Sequence, residues 1–278
     1  MKIKLLADSS CDLLELPGVD FIPVPLTIST DEADYVDDAA LDIPAMLSAL
    51  AAYHGRSRTA CPSVQDWLDA FEGADVIYAA TMTGTLSGTW RAAEAAKALY
   101  QQAHPDARVR VFDSKSTGPE LRLLVEKLAE GIAAGENFDA VCTQAEAYLA
   151  RTRLFFSLES LHNMAQNGRV SKLTAAAAGV LGIRVLGTAS PAGELQPLAK
   201  CRGEARVIPA LLGQLEEAGY RGGRLAITHI ENPALAEQAA RAIRAAYPDA
   251  QLSVSPARGL CSYYAERGGL MVGCACGE

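Results

Sequence analysis

A chain of 278 residues, half of them hydrophobic, holds enough apolar material to bury the core of one large domain or two ordinary ones, which excludes a disordered chain. Its 25 Lys and Arg stand against 33 Asp and Glu, a formal charge of −8. That charge repels phosphate backbones and anionic membrane surfaces at long range, so nucleic acid is not an expected partner.

The amino terminus places two lysines before a three-residue apolar run that ends at Asp8. It lacks the apolar stretch of a signal peptide, and a cytoplasmic protein is expected. Ile3 to Ala7 reads as a short apolar strand. Val19 to Ser29 is extended but contains Pro23 and Pro25, which fit an edge strand or a different sheet. Ser63 and Asp66, after Cys61 and Pro62, have the spacing of a capping box and predict a helix start. Asp75 to Ala80 and Arg108 to Phe112 predict two further strands, and the helical segments between them imply a parallel sheet with crossovers. From Thr117, residues Leu121, Leu124, Val125, Leu128 and Ile132 line one helical face. Thr117 with Glu120 resembles a second capping box, and Gly135 ends that helix.

After the segment Arg153 to Ser157 the pattern becomes mixed, with strands expected at 183–188, 194–200, 224–229, 251–255 and 270–274. Asn232 and Pro233 begin a helix there as N-cap and first helical residue. The expected class is α/β: an N-terminal domain over 1–150 with a parallel sheet flanked by helices, and a second α/β domain over 151–278 with a mixed or antiparallel sheet. Part of 19–55 is open to packing against the second domain. The most apolar window, Leu173 to Gly187, is interrupted by Arg184 and is shorter than the ~20 residues that span a bilayer. It reads as a buried helix and strand, and no membrane-spanning segment is expected.

Seven cysteines, an odd number in a long chain, do not form a disulfide framework. Cys261, Cys274 and Cys276 lie close in sequence, but no Cys or His pair stands beside them at zinc-like spacing, so they read as small core residues and no metal is expected.

In an open parallel sheet, ligands bind beyond the carboxyl ends of the strands. The segments expected there are Asp8 to Ser10, Thr81 to Thr89 and Asp113 to Ser114, with Thr59 to Ser63 before another helix. Hydroxyls dominate the set. A hydroxyl with the first amides of a helix can hold a carboxylate through charge-assisted hydrogen bonds of ~1.5–3 kcal/mol each. The same residues also serve as plain helix caps and turn closures, and the residues alone leave both readings open. The phosphate-cradling loop and the dinucleotide fingerprint are absent, so no nucleotide cofactor is expected. Ser87 lacks the leading glycine of a Gly-x-Ser-x-Gly elbow, and among four histidines His229 alone falls at a strand end near a cleft.

The ordered set Asp8-Ser9-Ser10-Cys11-Asp12-Leu13, Val24-Pro25-Leu26, Thr59-Ala60-Cys61-Pro62-Ser63, Leu86-Ser87-Gly88-Thr89, Asp113-Ser114, Gly168-Arg169-Val170-Ser171 and Lys200-Cys201-Arg202 resembles the DegV family in order and spacing over nearly the whole chain. The resemblance implies a two-domain, non-catalytic carrier that holds a long-chain fatty acid in an apolar tunnel between its domains. It further implies a separate ATP-dependent kinase subunit that converts the presented acid to an acyl phosphate. By resemblance Thr59 and Ser87 hold the carboxylate, with Ser10 and the amides of Gly88 and Thr89 in the same site. Arg169 and Arg202 lie near the carboxylate end or the kinase-docking surface, and Leu173 to Leu186 forms tunnel wall. Tyr264 stands where the family usually has a histidine, and Cys61 where a glutamine is common. Two alternatives remain: a serine-dependent hydrolase or transferase in which Ser87 is acylated with help from Asp8, Asp113 or His229, and a carrier of another amphiphile without a kinase partner.

Overall fold

The computed structural model describes residues 1–170 and 182–277. Its first sheet contains β1 (Ile3–Asp8), β2 (Phe21–Val24), β6 (Val76–Thr81) and β7 (Arg108–Asp113), all parallel in the order β2-β1-β6-β7. Every residue of β6 is buried, as a strand covered on both faces requires. Alternation sends Leu6, Ile77 and Ala79 toward Trp67 of α2 (Val64–Phe71) and Tyr100 of α3 (Thr89–Ala103). It sends Leu5, Tyr78 and Ala80 toward Leu121, Leu124 and Leu128 of α4 (Gly118–Ala133).

The second sheet contains β8 (Thr152–Leu158), β9 (Ile183–Ala189), β10 (Leu195–Arg202), β11 (Gly223–His229), β12 (Ala250–Pro256) and β13 (Leu270–Ala275). Its order is β10-β9-β8-β13-β11-β12, and only β11 and β12 run parallel. One face packs on α7 (Val207–Glu217) and α8 (Pro233–Ala246) through Leu211, Leu215, Leu235 and Ile243. The other face meets α4, which is therefore sandwiched between the two sheets. At the crossing a Cβ on Gly273 would lie 2.6 Å from the Glu120 amide nitrogen, so β13 needs glycine for α4 to approach. Helix α5 (Phe138–Leu149) packs alongside α4.

A third, antiparallel sheet of β3 (Thr27–Ser29), β4 (Asp34–Val36) and β5 (Arg58–Ala60), in the order β4-β3-β5, adjoins α1 (Ile43–Ala52). Short helices α6 (His162–Gln166) and α9 (Gly259–Ala265) complete the described strands and α-helices. The α/β class with one parallel and one mixed sheet is as expected. Among the described residues no helix is long and apolar enough to cross a membrane.

The segment Val19 to Ser29 divides at Pro25. Its first part is the edge strand β2, whose Pro23 pairs in register with Ala7, and its second part is the central strand of the third sheet. Segment 37–48 touches α9 and its flanks, where the Arg258 guanidinium donates to the Asp38 carbonyl and Arg267 Nη2 to Ser48 Oγ at 3.2 Å. The Ser63–Asp66 capping box is present, and Asn232 accepts from the Leu235 amide at 3.2 Å. Gly135, at φ 70°, follows the end of α4. The Thr117–Glu120 box is not formed. Thr117 makes no side-chain cap, and the Glu120 carboxylate is buried and accepts from Thr152 Oγ1 at 2.7 Å instead of reaching back to the helix start. The helix expected from Leu173 falls, up to 181, outside the described residues. Arg184 is fully buried in β9, hydrogen-bonded to Ser157 Oγ and paired with Glu159 and Glu204.

Candidate functional site

An apolar cavity of about 50 Å³ lies between elements of the two large sheets. Its walls come from β8 (Leu154, Phe156, Leu158), α9 (Leu260, Cys261, Tyr264) and the loop after β6 (Met82, Leu86), with Met164, Leu195 and Met271. Among the described residues that line it, only Thr117, Arg169 and Tyr264 have side chains that carry nitrogen or oxygen. Alternation on β8 explains the first wall, since residues 154, 156 and 158 share a face. Beside the lining residue Thr117 stands Gly118, whose φ of +56° suits glycine and where a Cβ would lie 3.4 Å from Met271 and 3.7 Å from Cys261.

Its polar end is assembled from distant segments. Tyr264 Oη lies 2.7 Å from Oγ1 of Thr59 on β5, and the neighbouring Tyr263 Oη lies 2.7 Å from Ser57 Oγ. The two tyrosine rings meet edge to face at 4.9 Å. Burial pushes the Tyr264 phenol up, so it stays neutral and able to donate, while Thr59 and the charge of Arg169 act in the opposite sense. Helix α9 is too short to stand alone. Its first free amides, of Gly259 and Leu260, donate at 2.8 and 2.9 Å to the buried carboxylate of Asp37, which thereby fixes where Tyr263 and Tyr264 point.

Arg169 follows Gly168, whose φ is 75°, and its Nε donates to the Leu86 carbonyl at 3.0 Å. This ties the guanidinium to the loop that carries Ser87. Ser87 is half-buried, and its Oγ accepts from the Thr89 amide at 3.4 Å. A Cβ on Gly88 would lie 3.2 Å from Cys61 Sγ, so the Thr59 segment and the Ser87 loop are in contact. Thr89 is fully buried, and its hydroxyl belongs to the surroundings of Asp8. Asp8 also accepts from the Met82 amide at 2.7 Å and from Ser10 Oγ at 2.5 Å, and burial pushes its carboxyl up to about 6.

Of the expected site residues, Tyr264 and Arg169 line the cavity, Thr59 is hydrogen-bonded to Tyr264, and Ser87 and Gly88 lie on the loop that Arg169 and Cys61 contact. Ser10 is placed otherwise. It is fully buried, its hydroxyl is committed to Asp8, and its carbonyl accepts from Cys261 Sγ at 3.4 Å behind the cavity wall. Arg202 is exposed at the far end of the edge strand β10, seven positions and roughly 23 Å along from the lining residue Leu195. Of Leu173 to Leu186, the part up to 181 lies outside the described residues, as does Ser171.

None of the bases considered for Ser87 hydrogen-bonds it among the described residues. Asp8 is engaged as above, Asp113 accepts from the Gly84 amide and Lys115, and His229 lines a separate cleft with Asp12 and Arg258. Thr59 is on a strand of the small sheet rather than at the end of a parallel strand, so the hydroxyls do not all share one sheet edge. Sequence reasoning missed Ser57, Tyr263 and Asn167, whose Nδ2 donates to Tyr263 Oη at 2.9 Å. It also missed the sulfur-rich wall of Met82, Met164, Met271 and Cys261, which follows no helical or strand period.

The molecule is an α/β protein with an apolar cavity whose described lining includes one guanidinium and the hydroxyls of Thr117 and Tyr264. The family model described as "Uncharacterised protein, DegV family" matches residues 2–274, and the chain belongs to the DegV family. A DegV domain-containing protein of Streptococcus pneumoniae is 43% identical over 277 residues, covering 98% of this chain and 99% of its own. A solved DegV family protein from Eubacterium eligens, loaded with heptadecanoic acid, is 50% identical with a TM-score of 0.97, covering 99% of this chain and all of that one. The fatty acid kinase B3 protein of Streptococcus pneumoniae, loaded with linoleic acid, is 42% identical with a TM-score of 0.97, covering both chains completely.

Proposed function

We propose that this chain binds a long-chain fatty acid, with the hydrocarbon in the apolar cavity and the carboxylate among Thr59, Tyr264, Ser87 and the amides of Gly88 and Thr89. Arg169 supplies the positive charge there. The carrying observation is the meeting of an apolar cavity lining with the Thr59–Tyr264 pair, 2.7 Å apart, beside a guanidinium that points at no carboxylate among its described partners. Each buried methylene contributes ~0.8 kcal/mol, so the tail supplies most of the affinity and the polar end sets its orientation. The fatty acids named for the two solved relatives support the ligand class.

On this reading the chain divides near residue 150 into a domain built on the parallel sheet and one built on the mixed sheet, with the ligand between them. It acts as the non-catalytic binding subunit of a kinase system, presenting the carboxylate to an ATP-dependent subunit that forms the acyl phosphate. The name of the pneumococcal relative supports that role. Calorimetric titration of delipidated protein with palmitate and with its methyl ester tests the binding mode. Tight binding of the acid and at least tenfold weaker binding of the ester is expected, and equal affinities would remove the carboxylate from the site. Acyl phosphate trapped with hydroxylamine, after adding a fatty acid kinase's ATP-binding subunit and ATP, tests the presentation.

A further inference from the structure

The carboxyl-terminal strand carries two thiols that the cavity does not use. Cys274 and Cys276 are two residues apart, so both side chains leave the backbone on the face of β13 that packs against α7 and α8. Their Sγ atoms are 3.8 Å apart, a thiol–thiol hydrogen bond. Cys274 is fully buried, whereas Cys276 is 7% exposed and follows the last residue of β13, with Gly277 beyond it.

Residues i and i+2 of a strand have Cα atoms ~6.6–6.8 Å apart, the upper edge of what a disulfide spans. Closure thus needs a small inward movement, and Cys276 can supply it because its only strand-like tether is one hydrogen bond, from its amide to the Arg151 carbonyl at 2.9 Å. The two thiols are not equivalent. The hydrogen bond with Cys274 pulls the Cys276 thiol down and Arg153 adds to this, against burial and Glu120, while Cys274 is pushed up. Arg153 is the cross-strand partner of Cys274 on β8. The thiolate therefore forms on the more exposed sulfur.

We propose that Cys274 and Cys276 form an oxidisable dithiol, a modification site at which a hydroperoxide closes a disulfide between neighbouring positions of the carboxyl terminus. The Cys276 thiolate attacks one peroxide oxygen, the O–O bond breaks, and the departing hydroxide or alkoxide takes a proton to leave as water or alcohol. The Cys274 sulfur then attacks the resulting sulfenic sulfur, the S–S bond forms, the S–O bond breaks, and the Cys274 proton leaves with the hydroxyl as a second molecule. Two thiols are oxidised and one peroxide is reduced.

Both cysteines fall in the tryptic peptide that begins at Gly268, and no other cysteine does. Folded full-length protein would be treated with hydrogen peroxide, blocked with N-ethylmaleimide under denaturing conditions, digested and weighed. The expected result is a carboxyl-terminal peptide two hydrogens lighter and carrying no maleimide, converted by dithiothreitol to the doubly alkylated form. In Cys276→Ser, Cys274 should remain fully alkylatable at the same dose. A doubly alkylated peptide at peroxide doses that oxidise the exposed Cys61, sulfinic acid in place of the disulfide, or a mixed disulfide to another cysteine would each overturn the assignment.

Discussion

The hydroxyl of Tyr264 lies 2.7 Å from that of Thr59, joining a helix near the carboxyl terminus to a three-residue strand 205 positions earlier at the polar end of the cavity. Because each hydroxyl orients the other, the proposed function has the two act on a carboxylate as a unit.

Tyr264→Phe should keep the fold and weaken palmitate binding about tenfold, the effect of one hydrogen bond to a charged group. Thr59→Val should do much the same, and the double variant should be little worse than either single one. A calorimetric cycle on the four proteins checks this, and strictly additive losses would show that the pair is not coupled.

Arg169 carries the cationic charge that lines the cavity, and the Leu86 carbonyl holds its Nε. Arg169→Met should cost about tenfold or more in affinity for palmitate and leave affinity for the corresponding alcohol within about twofold. Fluorescence competition with both ligands reads the ratio. An equal loss for both would mean that the side chain serves only as packing.

On the proposed function, Cys261 and Met271, which line the cavity beside Gly118, meet the end of the tail. Cys261→Leu places extra methyl groups there and should lower affinity for stearate relative to myristate, at ~0.8 kcal/mol for each methylene denied a place. A competition series of saturated acids measures this. Uniform weakening across the series would move the tail end elsewhere.

Burial pushes the Asp12 carboxyl up to about 7, against the Arg258 amide that donates to it at 2.8 Å. The folded chain thus retains a proton that the unfolded chain releases above about 3.9. The resulting stabilisation is present at acidic pH and lost as pH rises through about 7. Asp12→Asn preserves the acceptor and tolerates the left-handed φ of 59°. Its Tm should fall less than that of the parent chain between about pH 5 and pH 8, and should exceed the parent's at the upper end. Identical slopes in thermal melts would contradict the assignment.

Most strands of the two large sheets were legible, although β8, at the centre of the second, was passed over as the point where the pattern changes; the Ser63 and Asn232 caps were legible because their partners are three residues away. The third sheet was not. Its strands are three residues long and show no period. Helix α9 was hidden for another reason: the carboxylate that fixes its start is Asp37, 222 residues from Gly259. Glu120 misled because local spacing suggested a cap while Thr152, 32 residues on, claimed its carboxylate. Arg169, read from a motif, lines the cavity, whereas Ser10 and Arg202, read from motifs of the same kind, fall behind the wall and on an outer strand. A motif identifies the segment, and only the packing decides which side chains reach the cavity.

The most direct measurement is mass spectrometry of whatever the protein carries when purified from a bacterial cytoplasm, released by denaturation and compared with the intact complex weighed under non-denaturing conditions. One long-chain fatty acid per chain is predicted, lost in a variant whose cavity is filled by Leu154→Trp. Protein that arrives empty and shows no thermal shift with palmitate, oleate or linoleate would contradict the account.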